Sequence, residues 1–530
     1  MILRVKLFRA SNHIDIQTTH NYNRPSHYHN FMKGCFLLQR RFAFLGHDLI
    51  QTLKEQYGLT EFCGYVYLRS SYHFLKNQTD IPYTNLLLDD EIHNQYKTER
   101  LDLEYLEQLE KKYGLPNLWY YLSVDRVLMH HQLVREYPYD KPPYTYEEML
   151  RIVQVHAKSI IAFLEKEKPD YVFFNQAIGG VGSLLLFHIA KKMNIPLYVL
   201  CLTGIKDTST IGNDPIYFAE TSDAHDYTTT ELTQARAYVD EFRSKPQTYS
   251  SIHQLNKLKL ERRQHFGFLR PRNALRSIVW FFTLLKEYCF SDIRHDYSYT
   301  SPWNYLKDHT KRKIRNALRI PYDAFDPSEN YAFFPLHFEP EISLSLMAPW
   351  NTNQIEVARH IARSLPVGWK LYIKEHPQMA AFRPRSYYRE LKKIPNVRLL
   401  EPTLPSYTIT QNAKLVTVIT GTVGWEGTLL KKPVITLGDV FYNRLSFIRR
   451  CHAHEDLPYI VQEALANFST TYNETELLGF ISGIMKNSIT DIDLLYLWDK
   501  EQDEQRKKQA LEPLAHLLAQ KLGVSARERA

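Results

Sequence analysis

Apolar residues fall into two kinds of pattern along this chain, and their alternation predicts most of the architecture. From Tyr146 to Glu167, the residues Met149, Ile152, Val153, Ile160, Ile161 and Leu164 recur at the spacing of one helix face. Lys168-Pro169-Asp170 stops that helix, and Tyr171-Val-Phe-Phe-Asn175 reads as a short buried strand. Gly179, Gly180 and Gly182 precede a second helix through Lys192, and Ile195–Cys201 reads as another strand. Strand, helix and strand joined by short links form a βαβ unit, which implies a parallel sheet. Upstream the pattern is less regular: a helical stretch is predicted near Phe36–Tyr57, a strand near Gly64–Leu68, and polar loops beyond.

Residues from about 222 to 325 are charged, helical in places and poor in β-branched runs, and read as an insertion and linker. The rhythm then resumes. Strands are predicted at Tyr331–Pro335, Lys370–Lys374, Val397–Leu400, Leu415–Ile419 and Val434–Leu437. Between them lie helices at Asn351–Ser364, Ser386–Lys393, Ser406–Asn412 and Thr422–Leu430. Five strands alternating with helices make a doubly wound half. From Asp456 to about Leu522 only helices are predicted, placed to pack across both halves. The expected division is a Rossmann-like, acceptor-side domain over 1–221, the helical basic insertion over 222–325, a second Rossmann-like domain over 326–455, and helices over 456–530.

Length agrees with two cores, because 530 residues exceed what one ordinary core organises. With 44% apolar and 23% charged residues, the composition is that of a soluble globular chain. The 36 tyrosines could line carbohydrate sites, but the compositional bias of an AT-rich genome is the favoured reading. A net charge of +8 spread over this length is not the concentrated basic stripe of a nucleic-acid binder. Locally the charge does concentrate: KLKLERRQHFGFLRPRNALR, from Lys257 to Arg276, runs into the apolar stretch Ile278 to Leu285. That suits an amphipathic helix on an anionic membrane surface, and equally a solvated basic insertion packed on its own domain. None of the five cysteines forms a C-x-x-C pair, so neither a zinc site nor a disulfide framework is expected. No secretory signal is read at the N-terminus, and the expected location is cytoplasmic, with the inner membrane surface as a possible partner.

Ligands of open α/β sheets sit beyond the carboxyl ends of the strands, so the residues following each strand of the second half are the candidates. Thr420-Gly421-Thr422 is a glycine between hydroxyl residues at a strand-to-helix turn, where free N–H groups and the helix dipole suit a phosphate; a simple N-cap is the alternative. Glu426 lies one turn further on the same face, placed to accept ribose hydroxyls. In Lys374-Glu375-His376-Pro377, the proline forces His376 into an extended geometry, and Lys374 and His376 alternate to the same side. Two cationic donors there suit a phosphate, and the imidazole suits protonation of a leaving group. Glu339 and Glu341 flank Pro340; one carboxylate could deprotonate an acceptor hydroxyl, or the pair could anchor a loop through a nearby cation. Asn175 and Gln176 follow the first-half strand and are expected to face the same cleft from the acceptor side, with Asp207 and Asp214 as further candidates for a base.

The runs YAFFPLHFEPEIS, LPVGWKLYIKEHP, PNVRLLEPTLPSY and VITGTVGWEGTLLKKPVITLG resemble the bacterial capsule polysaccharide biosynthesis family, which includes the β-Kdo transferases. The resemblance is close over about 325–450 and extends more weakly over 146–205. It implies a GT-B fold, two Rossmann-like halves facing a cleft, with a nucleotide-activated sugar donor (CMP- or UDP-linked) and neither metal nor cofactor. It gives His376 and Pro377 the donor phosphate and matches Thr420 and Thr422 to the family's hydroxyl turn. No counterpart of the Kdo transferases' catalytic acid is apparent in the first half. The function so implied is transfer of a sugar to a growing capsule or other surface polysaccharide or glycolipid. A nucleotide-sugar 2-epimerase of the same double fold, or a non-catalytic assembly or export protein, are the competing readings.

Overall fold

The computed structural model describes residues 32–39, 42–115, 117–130, 142–175, 178–205, 208–219, 227–245, 271–318, 320–379, 381–490 and 504–527. Its strands, in chain order, are β1 (Lys33–Leu38), β2 (Glu61–Val66), β3 (Tyr83–Leu88), β4 (Tyr171–Phe174), β5 (Leu197–Leu202), β6 (Thr208–Gly212), β7 (Tyr331–Pro335), β8 (Lys370–Lys374), β9 (Val397–Leu400), β10 (Leu415–Val418), β11 (Val434–Thr436), β12 (Arg449–Arg450) and β13 (Ser488–Thr490). They form two sheets, ordered β13-β6-β5-β4-β1-β2-β3 and β12-β11-β10-β7-β8-β9. The second sheet is parallel throughout; the first is parallel from β5 to β3, with β6 and β13 antiparallel at its edge.

Both faces of each sheet are covered, as parallel sheets require. In β1, Cys35 and Leu37 join one apolar cluster while Phe36 and Leu38 join another on the opposite face. In β7, Ala332 and Phe334 alternate in the same way with Tyr331 and Phe333. The helix Tyr146–Glu167 begins where Thr145 and Glu148 form a reciprocal capping box and ends at Lys168 in a left-handed conformation before Pro169.

Several expectations need correction. The stretch from Phe36 is not helical at its start: β1 runs to Leu38 and the helix begins at Phe42. β1, β2 and β3 place three parallel strands where one strand and loops were expected. The helix Thr229–Ser244 is no linker, since Ala235 and Val239 are buried in the core of the second half and Arg243 holds Glu474 at 2.6 Å. The C-terminal stretch contains β13 besides helices, and β13 completes the first sheet. Its helix Glu504–Leu522 packs on Phe42–Tyr57 of the first half, while Leu457–Thr471 packs on the second. The first half is therefore assembled from two stretches far apart in sequence.

The carboxyl ends of the two sheets face each other. Beyond β4, Gly179 abuts Ile342, which lies beyond β7. Beyond β5, Gly204 abuts Phe441, and Phe218 stacks on the same ring at 5.4 Å. Tyr217 donates to Asp439 at 2.6 Å, and Arg450 pairs with that carboxylate at 2.6 Å. These contacts make the two-halved GT-B arrangement. No helix among the described residues is long and apolar enough to cross a membrane.

Candidate functional site

In the second sheet the chain leaves β7 toward β8 on one side and returns to β10 on the other, so the strand order reverses between β7 and β10. Loops diverge there and open a crevice, the usual ligand position of such sheets. The residues that meet at this point are His337, after β7, and Thr420-Gly421, after β10. The backbone N–H of Thr420 donates to His337 Nε2 at 3.0 Å. Gly421 leaves room for this contact, since a Cβ there would crowd the same nitrogen at 3.2 Å. Accepting at Nε2 fixes the proton on Nδ1, and burial holds the ring near 3, so His337 is neutral. Its main chain is clamped by Gln354 at 2.7 Å and by Arg383, which donates to its carbonyl at 2.6 Å.

This clamp leaves the start of the helix Thr422–Leu429 open. Its N-cap is Gly421, which has no side chain to satisfy the first-turn N–H groups, and Thr422 is exposed. An anion meeting this end finds N–H donors and the positive end of the helix. Tyr442 fixes the turn from behind by donating to the Gly421 carbonyl at 2.9 Å.

The Lys-Glu-His-Pro segment after β8 lies on the neighbouring strand end. Lys374 is buried and donates to Ser406 at 3.1 Å; burial lowers its amine to about 8, although the charges of Glu426 and Glu375 oppose the shift. His376 is half-buried and edge-on to Phe338, with ring centroids 5.9 Å apart, and burial lowers it to about 4. It is thus a neutral hydrogen-bonding group near pH 7 and not the second cation expected. Pro377 opens a short turn that carries the chain to Met379.

The carboxylates divide into two kinds. Glu339 is buried and paired with Arg383 at 3.3 Å, which also pairs with Glu375 and is itself fully buried. Tyr388 donates to the far oxygen of Glu375 at 2.8 Å, and Gln354 donates to Glu339. This network joins the ends of β7 and β8, and it is the loop-anchoring alternative for Glu339. Glu426 is also buried, within the field of Lys374, so its environment is that of a counter-ion more than of an open ribose contact. Glu341 differs: it is solvent-exposed at the N-cap of Ile342–Met347, accepts from Ser343 at 2.9 Å, and has its carboxyl raised by surrounding protein, as on a cleft wall.

Across the cleft, Asn175 is buried at the end of β4, beside β1, where the first sheet reverses its own strand order. Gln176 and Asp207 lie outside the described residues. Asp214 accepts from the N–H groups of Ile216 and Tyr217 at 2.8 and 2.9 Å, a turn-forming role. Among the described residues no group of three or more His, Cys, Asp or Glu side chains is arranged to hold a metal ion.

Two features escaped the sequence. His337 and Arg383 organise the site, yet neither sits in a recognisable motif of its own; the only signal was the position of His337 directly after β7. The second is a buried acidic cluster at the end of β3, where Tyr65 and Tyr297 both donate to Asp89 and the ring of His93 stacks on Tyr297 at 3.5 Å.

Residues 279–456, which contain every motif of this site, match the model of the capsule polysaccharide biosynthesis protein family. Over that segment the chain is similar to the family. Protein FixF of Sinorhizobium fredii is 31% identical over 128 residues, which are 24% of this chain and 30% of FixF, so the chain spans less than a third of that relative. Two solved structures are similar at low identity. The beta Kdo 2,7 transferase of Thermosulfurimonas dismutans KpsC aligns with a TM-score of 0.31 and 13% identity, covering 67% of this chain and 89% of that one. The UDP-GlcNAc 2-epimerase from Neisseria meningitidis aligns with a TM-score of 0.23 and 12% identity, covering 86% and 98%.

Proposed function

We propose that this protein is a glycosyltransferase that moves a sugar from a CMP- or UDP-linked donor to a growing capsule or other surface polysaccharide or glycolipid presented at the inner membrane surface. The observation that carries the reading is the open helix start at Thr422, held at the β7/β10 reversal by the His337–Thr420 hydrogen bond.

In this reading the donor phosphate rests on the N–H groups of Thr422 and Val423 and on the Thr422 hydroxyl. Lys374 supplies the positive charge, balanced by Glu426. His376 donates a hydrogen bond to the phosphate oxygen that leaves with the nucleotide. As the bond from the anomeric carbon to that oxygen breaks, the acceptor hydroxyl bonds to the carbon and gives its proton to Glu341, which is exposed while Glu339 is buried and paired with Arg383. Asn175 orients the acceptor from the opposite half. Glu339 serves through Arg383 by holding the loop that carries Glu341.

The test is a thermal-shift screen of CMP- and UDP-sugars, followed by assay of His376→Ala with the donor that stabilises. A donor at about 100 times its dissociation constant adds about 2.7 kcal/mol of stability. His376→Ala should fold normally and lose about a hundredfold in turnover. Unchanged turnover removes the histidine from the mechanism, and epimer interconversion without transfer replaces the transferase with the epimerase reading.

A further inference from the structure

The helix Pro271–Phe290 has no buried residue along its 20 positions. One face is turned toward its neighbour: Trp280 lies 5.3 Å from the ring of His309, and Phe281 lies 5.5 Å from Trp303, both on the helix Pro302–Ala317. The other face carries Leu275, Ile278, Val279 and Phe282, which are 62%, 53%, 57% and 61% exposed. Their spacing of three, four and seven residues puts them in one stripe. Scattered exposed leucines are ordinary, but a stripe of four on a helix that buries nothing is not.

Cations surround the stripe. Arg272, Arg276 and Lys286 share its helix with a single acid, Glu287. The partner helix carries Lys307, Lys311, Arg312, Lys313 and Arg315 against Asp308, and exposes Trp303, Leu306 and Ile314. A second copy of this chain would bring basic surface against basic surface. An apolar stripe bordered by lysine and arginine instead matches a surface with anionic headgroups above an acyl layer.

The pair of helices is also tied to both walls of the cleft. On the donor side, Arg315 donates to the Phe382 carbonyl and Arg312 lies over the Phe382 ring at 4.6 Å; Phe382 in turn meets Phe338, which meets His376. On the other side, Asp296 accepts from the Arg69 N–H at 3.0 Å and the Tyr297 N–H donates to Asp90 at 2.7 Å.

We infer that the helices Pro271–Phe290 and Pro302–Ala317 form a docking element for anionic lipid, which lays the exposed stripe into the headgroup layer and holds the mouth of the cleft at the membrane. The docking stands on the surface itself; only its purpose, bringing a lipid-borne acceptor to the site, rests on the transferase reading.

The test is co-sedimentation of the full chain with phosphatidylcholine vesicles, with and without phosphatidylglycerol. The wild-type chain should sediment with the anionic vesicles alone, and high salt should weaken the binding. Ile278→Asp with Phe282→Asp should reduce vesicle binding by about tenfold or more and leave the melting temperature unchanged, because both side chains are exposed. Lys307→Glu should reduce binding with less effect than the double substitution. Absence of sedimentation with anionic vesicles, equal sedimentation with both kinds, or an undiminished double variant would each overturn the inference; so would a wild-type dimer that the double substitution dissociates. Donor stabilisation measured without vesicles reports separately on the transferase reading.

Discussion

Gly179 and Ile342 occupy nearly the same space: a methyl group on the glycine would lie 2.3 Å from both Cδ1 and Cγ1 of the isoleucine. The two residues belong to opposite halves, and Ile342 directly follows Glu341. Gly179→Ala should therefore push the Glu341 segment away from its place and lower turnover about ten- to a hundredfold, with little change in donor affinity. Ile342→Ala should restore much of the loss when combined with it. Additive losses in the double variant would show that the two sites are not coupled by this contact.

The pH dependence of kcat/KM should follow Lys374. Its amine titrates at about 8 in the free protein, so donor capture should fall as pH rises through that value instead of holding to about 10. Glu426→Gln removes a charge that supports the cation, and the fall should move to lower pH. A limb that stays in place in this variant would separate the two residues. His376, lowered to about 4, should contribute no transition between pH 5 and 8.

Arg383 is fully enclosed with Glu339 and Glu375 as its ion-pair partners. Arg383→Met strands both carboxylates and should cost about 3–5 kcal/mol, as removal of one member of a buried pair does. Adding Glu375→Gln should recover part of the loss in melting temperature. Full stability of the single variant would mean that the network does not hold the β7 and β8 ends together.

Asp89 makes stability fall with pH. Burial raises its carboxyl from 3.8 to about 7, against the opposing hydrogen bonds from Tyr297 and Tyr65. The folded chain thus keeps a proton that the unfolded chain gives up. That contribution is fully present below 3.8 and is lost as pH climbs to 7. Asp89→Asn should accordingly gain roughly 2–4 kcal/mol relative to wild type between pH 4 and 7.5, read from paired melting curves. A pH-independent difference would place the carboxyl near its ordinary value.

Legibility followed local signal strength. Tyr331–Pro335, Lys370–Lys374, Val397–Leu400 and the helix Tyr146–Glu167 were read to the residue, because Pro, Gly and capping residues punctuate them. β1, KGCFLL, has no β-branched residue and runs almost directly into an amphipathic helix, so its apolar residues merge into a helical period. β13 has three residues and pairs with β6 across more than 270 positions, a contact that no local pattern announces. At the site, the polar ends of β7, β8 and β10 were legible as three clusters. Which carboxylates face inward was not, because Arg383 lies outside all three and its burial decides the fate of Glu339.

The tail that completes the first sheet has a consequence for how the protein comes into being. β13 caps the edge of β6, and Leu511, Leu514 and Leu518 close the apolar face beneath Phe42, Leu45 and Leu49. A ribosome delivers the amino-terminal half hundreds of residues before it delivers these pieces. Until these pieces emerge, that half carries an unpaired strand edge and an open oily face. A premature stop codon just ahead of Ser488 would spare every residue of the candidate site in the second half and still cripple the half made first.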